Sequence, residues 1–319
     1  MTISGPVEGV EFNRSLGVGN EKVGVALWQM MYPRIDEIGE KMKGQFVAVV
    51  DPRSTLGLDD RYLGSWRNHG LHVSALNAAY DSLLTIKALL QSGDLPMTAL
   101  YPILRAALEN ASLAIYLLES KVRDERLLRS YRIADDDAKW RCVFAAEIGN
   151  DHAWVSRARV RVEILKLIKL RPSLGEPRSV KLGAPKYGDM VAMAEAAVIA
   201  DPAVNTEQKR SPLLAWWQLM SGISHGKAWA MIAALERSEA IVDEENETAY
   251  VKMTSSTVVI GLALMRAVEV METALRLYGQ RSKVGWEQPE DASEPAQQTI
   301  RQLRAQRSVQ LPAGAIVRE

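Results

Sequence analysis

Between Pro96 and Leu118 only Arg105 and Glu109 carry charge, and they stand four residues apart. An ion buried alone costs on the order of several kcal/mol, so in an apolar segment these two must pair or line a wet cavity. Their spacing puts them on one helix face, together with Ser112 and Tyr116. A second segment, Ser211–Leu235, has Lys227 as its only formal charge and His225 as its only titratable neighbour. His225 lies in Ser221-Gly222-Ile223-Ser224-His225-Gly226, a run of small residues that permits close helix approach or leaves room for a ligand. We expect His225 to face the Arg105/Glu109 stripe, with Arg126, Arg129 or Arg132 supplying compensating charge. The candidate ligand-binding set is therefore Arg105, Glu109, Arg129, Ser221 and His225, and the partner it implies is a small ligand. The competing reading is a satisfied structural network, since such networks perturb buried ionisable groups as sites do.

Three segments carry a resemblance: Leu104-Arg105-Ala106-Ala107-Leu108-Glu109, Asp124-Glu125-Arg126-Leu127-Leu128-Arg129, and Ser221-Gly222-Ile223-Ser224-His225-Gly226-Lys227-Ala228-Trp229. Together they resemble a group of uncharacterised bacterial all-helical proteins, over roughly residues 60–280. The resemblance implies an all-helical fold and a site at Arg105, Glu109 and His225, and it implies no activity.

A different pattern sits at Arg67-Asn68-His69-Gly70-Leu71-His72. It resembles the Arg-x4-His motif of HEPN-type ribonucleases. That resemblance implies Arg67 and His72 as catalytic residues of a metal-independent toxin or phage-defence enzyme, acting on RNA across a homodimer. The chemistry is coherent: imidazole handles the proton of the attacking 2′-hydroxyl, and guanidinium stabilises charge on the phosphate. Five residues on an ideal helix are about 140° of rotation, so the pair converges only at an irregular helix start, which Gly70 permits.

Other patterns point elsewhere or nowhere. His69 and His72 with His225 are too few for a metal centre, without a His-Glu-x-x-His or Glu-x-x-His motif. Gly222-Ile223-Ser224-His225-Gly226 has the spelling of a nucleophile elbow, but no histidine follows His225 and no strand series precedes it. Asp135-Asp136-Asp137 lacks the third acid that a magnesium motif needs at Lys139 or Trp140, and reads as an exposed charged turn. Gly17-Val18-Gly19 opens no strand–helix unit. No metal and no cofactor are expected.

Charge is balanced, 39 basic against 39 acidic side chains, which argues against a uniformly basic polyanion binder. The balance is uneven along the chain. Residues 157–181 hold Arg157, Arg159, Arg161, Lys166, Lys169, Arg171, Arg178 and Lys181 against Glu163 and Glu176, a face that could meet RNA or an acidic partner. Residues 239–247 are acidic. The single Cys142 excludes an intramolecular disulfide. No signal-peptide pattern opens the chain and no apolar run reaches membrane-span length, so a cytoplasmic location with no membrane contact is expected.

The elements that must position these residues are helical. Ala, a strong helix former, occurs 39 times and Phe only 3 times. Apolar periodicity predicts helices over about 21–42, 66–92, 96–118 (kinked at Pro102), 123–149, 152–170, 188–200, 213–237 and 254–278. Residues 51–64 read as a loop, and Ala240–Val242 with Ala249–Val251 as the only hairpin. The expected fold is an all-α multi-helix bundle of about seven or eight helices with one β-hairpin insertion. It forms a single helical domain over 20–281, between a flexible arm at 1–19 and a flexible tail at 282–319.

Overall fold

The computed structural model describes residues 21–46, 50–64, 68–93, 95–149, 154–171, 174, 183–201, 212–243 and 248–283. The arm and nearly all of the tail named above lie outside them. Ten helices and one two-stranded antiparallel hairpin are present among the described residues. The chain is all-α with a hairpin insertion, as expected, with more helices than periodicity alone separated. They run α1 Glu21–Phe46, α2 Thr55–Leu63, α3 Asn68–Ser92, α4 Leu100–Leu118, α5 Arg123–Glu147 and α6 Trp154–Leu170. Then follow α7 Tyr187–Ala200, α8 Leu213–Ser224, α9 Ala228–Ala234, β1 Leu235–Asp243, β2 Thr248–Ser255 and α10 Thr257–Ser282.

The scarcity of charge in α4 has the consequence that physics requires: the helix sits in the middle, packed against α3, α7, α8 and α10. Leu100, Tyr101, Leu104, Leu108, Ala111, Ile115 and Leu118 are sealed from solvent. α10 is the second core helix, and it meets α1 at very short range. A Cβ on Gly24 would come within 2.5 Å of the Thr257 carbonyl carbon, and one on Gly261 within 2.9 Å of Leu27 Cβ. Only glycine allows the two backbones this close. α5 and α6 form an antiparallel pair over their own small core of Leu127, Leu128, Tyr131, Val160, Ile164 and Leu167. The far end of α5 leaves Trp140, Phe144 and Ile148 exposed.

Because α4 is surrounded by protein, its last carbonyls cannot turn to water and need donors. Arginines supply them. Arg129 Nη1 donates to Tyr116 O (2.8 Å) and Arg281 Nε to Leu118 O (3.3 Å), while Arg281 Nη2 and Arg126 Nη1 take Ser120 O just beyond the helix (3.1 and 2.9 Å). Cations at this end also oppose the negative pole of the helix dipole. Arg126 is itself held by Asp59 of α2, whose other oxygen takes Arg123 (2.8 and 3.0 Å). Burial and the neighbouring Arg126 pull the Arg281 guanidinium below its usual range.

Several expectations are corrected. Residues 51–64 are not a loop: Ser54 caps α2 by accepting from the Gly57 N–H at 3.1 Å, and Leu56, Asp59 and Leu63 point inward. The Asp59-Asp60 pair disguised this, because Asp59 is buried against arginines rather than solvated. Pro102 does not kink α4, since it falls in the first turn where its missing N–H had no acceptor to lose. The helix expected over 213–237 breaks at His225-Gly226, where Gly226 takes φ 64°, and the chain becomes β1 at Leu235. The hairpin is correspondingly longer, pairing Leu235 with Ser255 through Asp243 with Thr248. α10 continues through Gly279, which is buried, to Ser282.

A buried charged cluster ties α10 to its neighbours. Arg34 of α1 grips Glu272 with two hydrogen bonds (2.9 and 2.6 Å), Arg266 pairs with Glu269, and Arg276 pairs with Asp201 at the end of α7. Burial pushes the Glu269 carboxyl above the usual glutamate range, against the pull of Arg266 and Arg34.

Two predictions follow from these ion pairs. Arg126→Ala leaves Asp59 without its buried partner and should cost about 3–5 kcal/mol in urea unfolding, whereas Arg123→Ala, half-exposed on the same carboxylate, should cost under about 1 kcal/mol. Equal losses would show that burial of the Arg126 pair is not what matters. For Glu269 the unfolded carboxyl ionises first as pH rises, so the folded state holds more protons and stability falls from the ordinary glutamate value upward. The Tm of Glu269→Gln relative to the native protein should therefore rise as pH climbs above the ordinary glutamate range; a pH-independent difference would contradict the upward shift.

Candidate functional site

On α4 the face defined by Arg105, Glu109, Ser112 and Tyr116 forms as the spacing requires. Arg105 Nε donates to Glu109 Oε1 at 2.7 Å. The same oxygen accepts the indole N–H of Trp217, also at 2.7 Å, from α8. The Arg105 guanidinium lies 5.8 Å from the Trp217 ring centre, so the indole holds the carboxylate by its edge and the cation by its face. Arg105 Nη1 stands 3.5 Å from His225 Nε2. His225 reaches this position because α8 stops there: its backbone N–H still bonds Ser221 O at 3.1 Å, and Gly226 then reverses the chain.

The structure thus brings Arg105, Glu109 and His225 together, one turn from Ser221, which stands four residues beyond Trp217 on the same helix. The pair is only partly buried, with side-chain exposures of 22% for Arg105 and 14% for Glu109. Its contacts run through Nε, Nη1 and Oε1. Among the described residues Nη2 and Oε2 take no partner. Further along the face, Ser112 Oγ and Tyr116 OH are buried with no hydrogen-bond partner among the described residues. Burial raises the Tyr116 hydroxyl, with Arg132 and Arg129 opposing.

Tyr187, at the first turn of α7, completes the surroundings. Its neighbour Gly188 lies against the Trp217 ring, where an added Cβ would sit 3.4 Å from the indole. Burial raises the Tyr187 hydroxyl, and the charges of Glu109 and Asp136 raise it further while Arg105 opposes them.

Arg129 does not join this group. It serves the end of α4, bonded to Tyr116 O, Glu119 and Glu125 and stacked 5.0 Å from the Tyr116 ring. Arg126 is committed to Asp59, and Arg132 donates to Gly183 O at 2.8 Å. Among the described residues, charge compensation for Arg105 comes from Glu109, aided by an indole that sequence reasoning missed. The signal was present in Trp216-Trp217, two indoles in a segment almost without charge.

Of the HEPN-like pair, Arg67 lies outside the described residues. His72 is on α3 and is 0% exposed. His69 and His152 contribute no described side chain, and no cluster of three metal-ligating side chains occurs among the described residues. Asp135-Asp136-Asp137 is not the exposed turn expected. Asp135 is buried and takes Arg157 and Arg161 of α6 (3.3 and 3.0 Å), and Asp137 pairs with Arg141. The basic face is reduced by the same pairing, with Arg171 on Asp124 and Lys166 on Glu163; Arg178 and Lys181 lie outside the described residues.

Trp217→Phe keeps one aromatic ring and removes the N–H from which Glu109 accepts, together with the five-membered half of the indole. It should lower stability by about 1–2 kcal/mol in urea unfolding, the worth of one partly buried bond to a charged acceptor. An unchanged midpoint would mean that water replaces the indole without loss. No family model, curated protein or solved structure matches the chain.

Proposed function

We propose that this protein binds a small polar ligand at the Arg105, Glu109, Trp217 and His225 site. The observation that carries this reading is unspent hydrogen-bonding capacity. A core helix presents an ion pair with an open donor edge and an open acceptor oxygen, and the same face holds two buried hydroxyls that bond nothing among the described residues. Buried polar atoms are almost always paired, so two unbonded hydroxyls on the face of a half-open ion pair need an account. The flanking Trp217 and Tyr187 give the site the aromatic walls that small-molecule sites use. The ribonuclease alternative gains no such support, because its histidine is sealed within α3 and the core.

Binding is tested by thermal shift against small carboxylates, phosphates, amines and nucleobases, alongside total RNA in EDTA. At least one small molecule should raise the Tm of the native protein, and the shift should vanish in Arg105→Ala. A shift that survives Arg105→Ala, or none with any compound, overturns the reading. RNA cleavage abolished by His72→Ala and kept in Arg105→Ala would replace it with the nuclease.

A further inference from the structure

The open edges of the site are specific enough to name a ligand class, and this inference rests on the small-ligand reading above. Arg105 and Glu109 bond each other through Nε and Oε1 only, so Nη2 with its N–H donors and Oε2 with its lone pairs are left on one helix face. Trp217 fixes Oε1 from the other side and stacks on the guanidinium, which holds both groups in place before anything binds. The complement of a donor beside an acceptor is an acceptor beside a donor. A C=O next to an N–H, held cis in a ring, is the compact form of that arrangement.

Charge decides against the simpler ligands. A free anion drawn to Arg105 meets the Glu109 carboxylate, which is 14% exposed and already shares its charge with the cation. A free cation drawn to Glu109 meets Arg105 at the same short range. The pair is neutral as a unit, so a neutral ligand with both hydrogen-bonding functions loses nothing to repulsion and leaves neither charge unpaired. The aromatic neighbour favours planarity. Tyr187 is 45% exposed, beside the Gly188 that rests on Trp217, and offers a ring face to a flat molecule.

From this juxtaposition we infer that the site takes a neutral planar lactam or cyclic imide, of which nucleobases are the simplest members. The C=O accepts from Arg105 Nη2, the adjacent N–H donates to Glu109 Oε2, and the ring lies against Tyr187.

The probes are uracil and hypoxanthine, with 1,3-dimethyluracil as the ligand whose N–H groups are blocked, and acetate, inorganic phosphate and methylguanidine as charged controls. Binding is read by quenching of tryptophan fluorescence and by equilibrium dialysis on the full chain. Uracil or hypoxanthine should bind, 1,3-dimethyluracil should bind at least about tenfold more weakly, and Arg105→Lys, which keeps the charge but loses the planar fork, should weaken uracil or hypoxanthine by about as much. Tyr187→Ala, at a partly exposed position, should weaken binding without shifting the unliganded Tm. Equal binding of uracil and its dimethyl form overturns the inference. Arg105-dependent binding of acetate, phosphate or methylguanidine without any lactam overturns it too, and leaves the small-ligand reading standing. No binding by any probe sinks both.

Discussion

The backbone carbonyls at the end of α4 constrain the rest of the molecule. A helix can be wrapped in protein on nearly every side only if the C=O groups of its last turn find donors that are also protein. Here Arg129 of α5 and Arg281 of α10 supply them, Arg126 of α5 takes the Ser120 carbonyl just beyond the helix, and Arg126 and Arg129 in turn need carboxylates or a ring. That chain of obligations extends outward to Asp59 on α2, to Glu119 and Glu125, and to the Tyr116 ring. The entry of α5 and the exit of α10 are therefore fixed by the termination of a third helix. Asp51 N–H adds to the same corner by bonding Ser282 O at 3.0 Å.

The candidate site is what remains of α4 once its end is secured. Arg129 was a plausible member on charge and sequence alone, yet its guanidinium is consumed by carbonyls that no residue pattern announces. The other end of the face is free of such demands. Arg105 and Glu109 lie two to three turns before the capped end, where α7 and α8 approach with Tyr187 and Trp217 instead of with cations. The small residues of 221–226 matter there less as a packing surface than as a break. Gly226 adopts a left-handed conformation that ends α8 at the point where His225 meets Arg105.

What the sequence made legible follows the range of the interaction involved. The Arg105, Glu109, Ser112, Tyr116 stripe was visible because it depends on helical periodicity within one element. The all-α class and the hairpin were visible for the same reason. The short helix α2 was hidden because its buried Asp59 is polar by type and internal only by virtue of arginines more than sixty residues away. The helix break at His225 was hidden because a lone glycine inside an apolar run is compatible with a continued helix. Trp217 could be seen as apolar bulk, but its N–H contact with Glu109 joins residues 108 positions apart and leaves no local trace.

The neutral total charge takes on a different meaning in this light. Buried ions are costly unless matched, so a fold with internal arginines must carry internal acids in nearly equal number. Asp59, Asp135, Asp201, Glu269 and Glu272 each face an arginine from another helix or another turn of their own. Much of the charge balance is therefore structural bookkeeping, and the apparent surplus on α6 shrinks because Asp135 draws two of its arginines inward. Against that background the Arg105–Glu109 pair differs in kind. It too is matched in charge, but only half of its hydrogen-bonding capacity is spent on the protein. A charge census alone cannot separate a pair that holds the fold from a pair that is open to a ligand. Unused lone pairs go further only when read with exposure: Glu269 Oε1 is also unbonded among the described residues but sealed in the core, whereas Arg105 and Glu109 are 22% and 14% exposed.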